Sequence, residues 1–179
     1  NCFKIFESNM KQQVEEALDL ETKLRRSSER KDFFLHYQPK MRVSDGKIIG
    51  VEALLRWKPC GEMISPVVFI PLAEETGLIQ TIGEWVIKET CQQLKVWQGK
   101  YHLPEGFSAS VNLSVKQLND DSVVHVLERQ LEQNGLPASL LEVEITETVV
   151  MEKTDQNLKV LCDIHNLGTG YYTNLRTHE

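Results

Sequence analysis

The chain has 179 residues, 41% of them hydrophobic, and a formal net charge of −6, which suits a globular protein with a full core and argues against a nucleic-acid polymer held through its phosphates. Its four cysteines form no CxxC pair and no zinc spacing with histidine, so they read as reduced thiols of a cytoplasmic protein, not as a disulfide framework. No apolar run approaches membrane-spanning length, since Val67 to Ile70 is cut by Pro71, so no membrane contact is expected from this segment; nothing at the amino terminus reads as a signal peptide.

The first element is a polar helix over roughly Asn9 to Arg30, with Met10, Val14, Ala17 or Leu18, and Leu24 along one side. Residues 1–30 read as a connector from something upstream. A strand follows at Phe33 to Pro39, the proline marking its end. After a Ser44-Asp45-Gly46 turn, Lys47 to Trp57 reads as a second strand, with Glu52, Leu54 and Arg56 on one face. Ser65 and Pro66 open a short helix that Gly77 stops. A longer helix then buries Ile79, Ile82, Val86, Leu94 and Trp97.

The third strand, Phe107 to Ser114, alternates apolar residues with Ser108, Ser110, Asn112 and Ser114. Its helix begins near Asn119-Asp120 and closes at Gly135. The fourth strand, Leu140 to Glu147, sets Glu142, Glu144 and Thr146 on one face. The last helix starts near Thr154-Asp155, carries Leu158, Leu161, Ile164 and Leu167, and stops at Gly168. Strands alternating with helices predict an α/β fold with adjacent parallel strands in sequence order and helices outside, and no GxGxxG follows the first strand. Polar groups at successive strand ends are the pattern of the catalytic face of a (β/α)8 TIM-like barrel.

The candidate chemistry lies in Glu52, Asn112 and Glu144. Two carboxylates and an amide oxygen form a hard donor set that suits Mg²⁺ or Mn²⁺ and not zinc. Arg56 adds a planar fork for phosphate, which points to phosphoryl chemistry. Each residue also has a plain reading on its own. Glu52 and Arg56 can pair at the wet end of a strand, Asn112 can satisfy a loop, and Glu144 can be one of several solvated charges. Their joint appearance on consecutive strand ends raises the metal site above those readings.

Five segments carry a resemblance to a known family: Tyr37-Gln38-Pro39, Glu52-Ala53-Leu54-Leu55-Arg56-Trp57, Pro66 with Phe69-Ile70 and Ala73-Glu74, Val111-Asn112-Leu113-Ser114, and Glu144-Ile145-Thr146-Glu147. In this order and at this spacing, from about Phe33 to Gly168, they resemble the EAL domain of bacterial cyclic di-GMP phosphodiesterases. The resemblance implies a domain over residues 31–179, incomplete after about 168. It implies metal ligation by Glu52, Asn112 and Glu144, and contact of Gln38, Leu54, Arg56 and Pro66 with the cyclic dinucleotide. It further implies support of a mobile loop by Glu147, a homodimer, Mg²⁺ or Mn²⁺ as cofactor, and inhibition by Ca²⁺. Asn1 to Phe6 with the first helix resembles the tail of a GGDEF (diguanylate cyclase) domain.

The chain also departs from the family. Gly168 runs into Thr169-Gly170-Tyr171-Tyr172 as though the fifth strand and its paired aspartates had been excised, and the family's later strands, with their lysine and further glutamate, are absent. A full barrel needs roughly 250 residues, and about four β/α units are present. Either the natural chain is truncated, or these residues belong to a longer chain read across gaps; unpaired sheet edges favour the second. Three functions follow. The first is an enzyme that hydrolyses cyclic di-GMP to linear pGpG, with no residue here assignable as the family's lysine base. The second is a catalytically silent EAL domain that senses cyclic di-GMP or a protein partner. The third is an α/β domain without ligand chemistry.

Overall fold

In the computed structural model, which describes residues 8–30, 32–119, 121–146 and 155–174, helix α1 (Ser8–Arg30) precedes strands β1 (Phe33–Met41) and β2 (Ile48–Trp57). Helices α2 (Pro66–Glu75) and α3 (Leu78–Lys100) follow, then β3 (Ser108–Leu113), α4 (Ser122–Asn134), β4 (Leu141–Thr146), α5 (Asp155–Asn166) and β5 (Gly170–Asn174). The strands form one sheet in the order β1-β2-β3-β4-β5. The β2–β3, β3–β4 and β4–β5 pairs are parallel, with Glu52 opposite Ser110, Asn112 opposite Glu144, and Glu144 opposite Tyr172. Each parallel step is bridged by helix, as parallel neighbours require.

Contacts divide the chain into two compact units: the segment through Phe34 with Arg56–Leu78, and Leu35–Leu55 with everything from Ile79 on. The first unit is built around Trp57, which is fully buried. Its ring meets Phe33 at 6.1 Å and the edge of Phe69 at 5.3 Å. Its Nε1–H donates to Ser27 Oγ at 2.8 Å, and Ser27 also lies 2.8 Å from Asp32 Oδ2 and from the Lys23 carbonyl. These contacts anchor α1 in this unit through Ser27 and the buried Leu24. Ala17 and Leu18, expected on the apolar stripe, are exposed instead; Met10 and Val14 lie outside the described side chains.

In the second unit, the apolar parity of the parallel strands packs beneath the helices. Ala109, Val111, Leu113, Leu141, Val143 and Ile145 are all buried, as are Ile82, Ile87, Cys91, Leu94, Leu127, Val160 and Ile164 from α3, α4 and α5. Burial of each Leu, Ile or Val among them contributes about 1.5–3 kcal/mol. Trp97 sits edge-on to Tyr37 at 4.8 Å and to Phe107 at 6.4 Å. The helix ends fall where the glycines predict. Gly77, Gly135 and Gly168 adopt φ of 75°, 59° and 86°, the left-handed geometry that halts a helix without steric cost.

Four expectations are corrected. β1 is not a parallel neighbour of β2. Only Arg42 to Lys47 joins them, too few residues for a crossover, and Arg42 N–H donates to the Lys47 carbonyl at 2.8 Å, so the pair is a hairpin. β1 also continues past Pro39 to Met41, which an edge strand permits because its outer N–H groups need no partner. On α5 Ile164 is buried as expected, but Asn157 and Val160 share its buried stripe in place of Leu158 and Leu161, and Leu158 is exposed. The fifth place in the sheet is filled, since Gly170–Asn174 pairs along β4. Tyr171, Tyr172 and Thr173 favour extended backbone, and β4 offers them an open row of hydrogen-bonding groups.

Candidate functional site

The site is built from the polar parity of the strands, the face opposite the helix-packed core. On β2 this parity carries Gly50, Glu52 and Leu54; on β3 it carries Ser108, Ser110 and Asn112; on β4 it carries Glu142 and Glu144. Glu52 and Glu144 are buried, at 5% and 7% exposure, while Asn112 is exposed. A carboxylate so deep in the fold needs charge-assisted partners. Glu52 Oε1 accepts a hydrogen bond from Asn112 Nδ2 at 2.8 Å. Asn112 is two residues beyond Ser110, the register partner of Glu52, so this is a diagonal cross-strand contact. It commits the nitrogen arm of the amide to Glu52 and leaves the oxygen arm for another ligand.

Gly50 sets the spacing of this layer. A Cβ at Gly50 would lie 2.6 Å from the Ser108 carbonyl oxygen, closer than side-chain carbons approach backbone. Beyond Asn112, a 3₁₀ turn (Val115–Leu118) holds the strand end. Gln117 Oε1 accepts from the Ser114 N–H at 3.1 Å, and Gln80 Nε2 donates to the Lys116 carbonyl at 2.9 Å. Glycine at position 83 makes room for this turn, because a Cβ there would overlap the Gln117 amide.

A residue that sequence reading missed completes the layer. Lys40 Nζ lies 2.7 Å from Glu144 Oε1 and 3.3 Å from Glu142 Oε2. Burial by itself lowers the pKa of this ammonium. The hydrogen bond and charge of Glu144, joined by those of Glu142, outweigh burial and hold it above the ordinary lysine value. The signal in the sequence was parity: with β1 carried through Pro39, Lys40 falls on the face of Gln38, facing an acidic strand.

Glu52, Asn112 and Glu144 therefore share one face of three consecutive strands, which are about 4.8 Å apart at each step. Gln38 is exposed on β1 and Leu54 is half-buried on β2. Arg56 and Pro66 belong to the first compact unit, where Arg56 is half-buried near the end of β2 and Pro66 opens α2. Glu147 lies outside the described residues. Among those described, no three His, Cys, Asp or Glu side chains cluster with metal-holding geometry, so a site here depends on the Asn112 amide. On β5 the register partners of Glu144 and Thr146 are Tyr172 and Asn174, neither of them a carboxylate.

Comparison with known proteins gives this face its context. The EAL domain family profile matches residues 21–172, and the chain belongs to the EAL domain family. The bifunctional diguanylate cyclase/cyclic di-GMP phosphodiesterase MucR of Pseudomonas aeruginosa is 40% identical over 171 residues, covering 95% of this chain and 25% of that protein. The cyclic di-GMP phosphodiesterase PdeR of Escherichia coli is 35% identical over 167 residues, covering 93% of this chain and 25% of that protein. The structure of the MucR phosphodiesterase in complex with cyclic di-GMP superposes with a TM-score of 0.79 at 40% identity, over 86% of this chain and 62% of that one. The chain thus spans about a quarter of the length of these curated relatives. The neighbours establish the EAL-type, TIM-like barrel class of the fold. No helix among the described residues is long and apolar enough to cross a membrane.

Proposed function

We propose that this chain carries part of the active face of a cyclic di-GMP phosphodiesterase, which hydrolyses one phosphodiester of the cyclic dinucleotide to give linear pGpG. The observation that supports this best is the Glu52–Asn112 hydrogen bond beside the Asn112–Glu144 register pair. Both contacts lie on one face of the parallel strands β2, β3 and β4 and support an oxygen-only donor set there, in a family member 40% identical to MucR. The donor chemistry fits a hard divalent ion, Mg²⁺ or Mn²⁺. When bound, such an ion supplies an activated water and neutralises charge developing on the phosphate.

In this reading Glu52, Asn112 and Glu144 hold the ion, and the Asn112 Nδ2–H bond to Glu52 keeps the amide oxygen turned to it. Arg56 supplies a fork for phosphate, and Gln38, Leu54 and Pro66 contact the nucleotide. Glu147 steadies the neighbouring loop. Residues 1–30 act as the link from an upstream GGDEF domain, the protein works in the cytoplasm, and it pairs as a homodimer.

A second reading is favoured by one observation. Tyr172 and Asn174 stand in register with Glu144 and Thr146, where a second ion would need carboxylates. A domain so built binds cyclic di-GMP or a protein partner without turnover. Chromatographic assay of cyclic di-GMP conversion with Mg²⁺ or Mn²⁺ separates the two. The 179-residue chain alone is expected to show negligible conversion. A longer chain with the family's remaining strands is expected to produce pGpG and to be inhibited by Ca²⁺, whose looser coordination misplaces the attacking water. Binding without turnover in the longer chain would select the sensor.

A further inference from the structure

Lys40 has no role in the reading above, yet it contacts the acidic layer more closely than any other cation described for it. Its ammonium lies between two carboxylates of one strand, 2.7 Å from Glu144 and 3.3 Å from Glu142. Its side chain is 30% exposed, against 9% for Glu144 and 17% for Glu142. The pair is thus partly buried, in the regime where charge contacts are screened least. Glu142 is held beside it by close packing, since a Cβ at Gly170, its register partner on β5, would stand 3.0 Å from Glu142 Cγ.

We propose that Lys40 is a tethered counter-ion that competes with the divalent ion for Glu144, and that Glu142 is the carboxylate to which it withdraws when the ion enters. This deepens the proposed metal site and rests on that reading. The physical reason is simple. An ammonium at 2.7 Å from Glu144 Oε1 and a dication at about 2.1 Å from the same oxygen would stand roughly 4 Å apart, where mutual repulsion and the shared electron density of one oxygen weaken both contacts. Expulsion of Lys40 into solvent would forfeit a charge-assisted bond, whereas Glu142 already lies within reach and keeps the ammonium in the layer. Lys40 thereby keeps the metal-free acidic face neutralised, and it sets the concentration at which the ion takes over.

Mn²⁺ binding to the 179-residue chain tests this, followed by loss of the free-ion electron paramagnetic resonance signal, with circular dichroism as the check on folding. Lys40→Met is expected to tighten binding by roughly tenfold, with Lys40→Gln as the second variant if the first folds poorly. Lys47→Met, which removes an exposed lysine paired only loosely with Asp45 at 3.9 Å, is expected to leave binding unchanged. Glu142→Gln is expected to weaken binding in the parent chain and to do so less in the Lys40→Met background, because the withdrawal site then has no occupant. Equal or weaker binding in both Lys40 variants overturns the proposal, as does an equal gain in Lys47→Met. An undiminished Glu142→Gln effect in the Lys40→Met background overturns the role of Glu142. Absence of Mn²⁺ binding in every chain would overturn the metal site itself, a result distinguishable from failure of the competition alone.

Discussion

Asn112 donates its side-chain N–H to Glu52 across the β2–β3 boundary at 2.8 Å, so the exposed amide fixes the orientation of a carboxylate that is 5% exposed. Replacement of Asn112 by Asp sets two like charges at that distance. The variant is expected to lose about 1–2 kcal/mol of stability with chelator present. Mn²⁺ is expected to restore more of the loss than it adds to the parent, because ligand bound only by the folded state stabilises it. Thermal unfolding with and without Mn²⁺ measures both.

Gly50 lies one parity step before Glu52 and almost touches the backbone of β3. Gly50→Ala must push β2 and β3 apart, at a cost of about 1–3 kcal/mol. It is also expected to weaken Mn²⁺ binding by displacing Glu52 from Asn112. Urea unfolding and Mn²⁺ titration of this variant give the two numbers, and retention of parental values in both would remove Gly50 from the account.

In the first compact unit, the Trp57 indole N–H is buried and bonded to Ser27 Oγ. Ser27→Ala leaves that donor without this partner, a loss of about 1–3 kcal/mol, readable as an earlier urea midpoint and altered tryptophan fluorescence.

The alkaline limit follows from the buried Cys91 and the half-buried Tyr37. Burial pushes the Cys91 thiol from 9.0 up to about 12. Burial first, then the charge of Glu89, pushes the Tyr37 hydroxyl from 10.0 up to about 12. Both pKa values are raised on folding, so their contribution is complete below the unfolded values and is lost as pH rises through the folded ones. Melting temperature is expected to hold level to about pH 9 and to fall between about pH 9 and 12. At pH 9, alkylation mapped by mass spectrometry should mark the exposed Cys60 and Cys162 and spare Cys91 until urea is added.

Much of this architecture is legible in the chain because two-residue alternation fixes parity before any coordinates exist. Glu52, Asn112 and Glu144 could be assigned to one face from their neighbours alone, and the glycines at 77, 135 and 168 marked the helix ends. What escaped depends on tertiary context. Pro39 read as a strand end because proline cannot donate to a ladder, but an edge strand does not need that donor, and the error hid Lys40. The short link from Arg42 to Lys47 carries a hairpin signal, being too few residues for a crossover, but the β/α repeat of the later strands masks it. Leu158 is apolar yet faces outward, because the neighbours of α5 select the stripe through Asn157, a choice that hydrophobicity alone does not encode. The strand at Gly170–Asn174 depends on the open edge of β4, with which it pairs, a tertiary partner that five residues alone do not reveal.

Mn²⁺ titration of the parent chain beside Glu52→Ala tests most directly whether Glu52, Asn112 and Glu144 hold a single divalent ion. The parent is expected to bind one ion per chain, and Glu52→Ala to lose that binding by at least about tenfold while keeping its circular dichroism spectrum and cooperative unfolding. Undiminished Mn²⁺ affinity in Glu52→Ala would contradict the account.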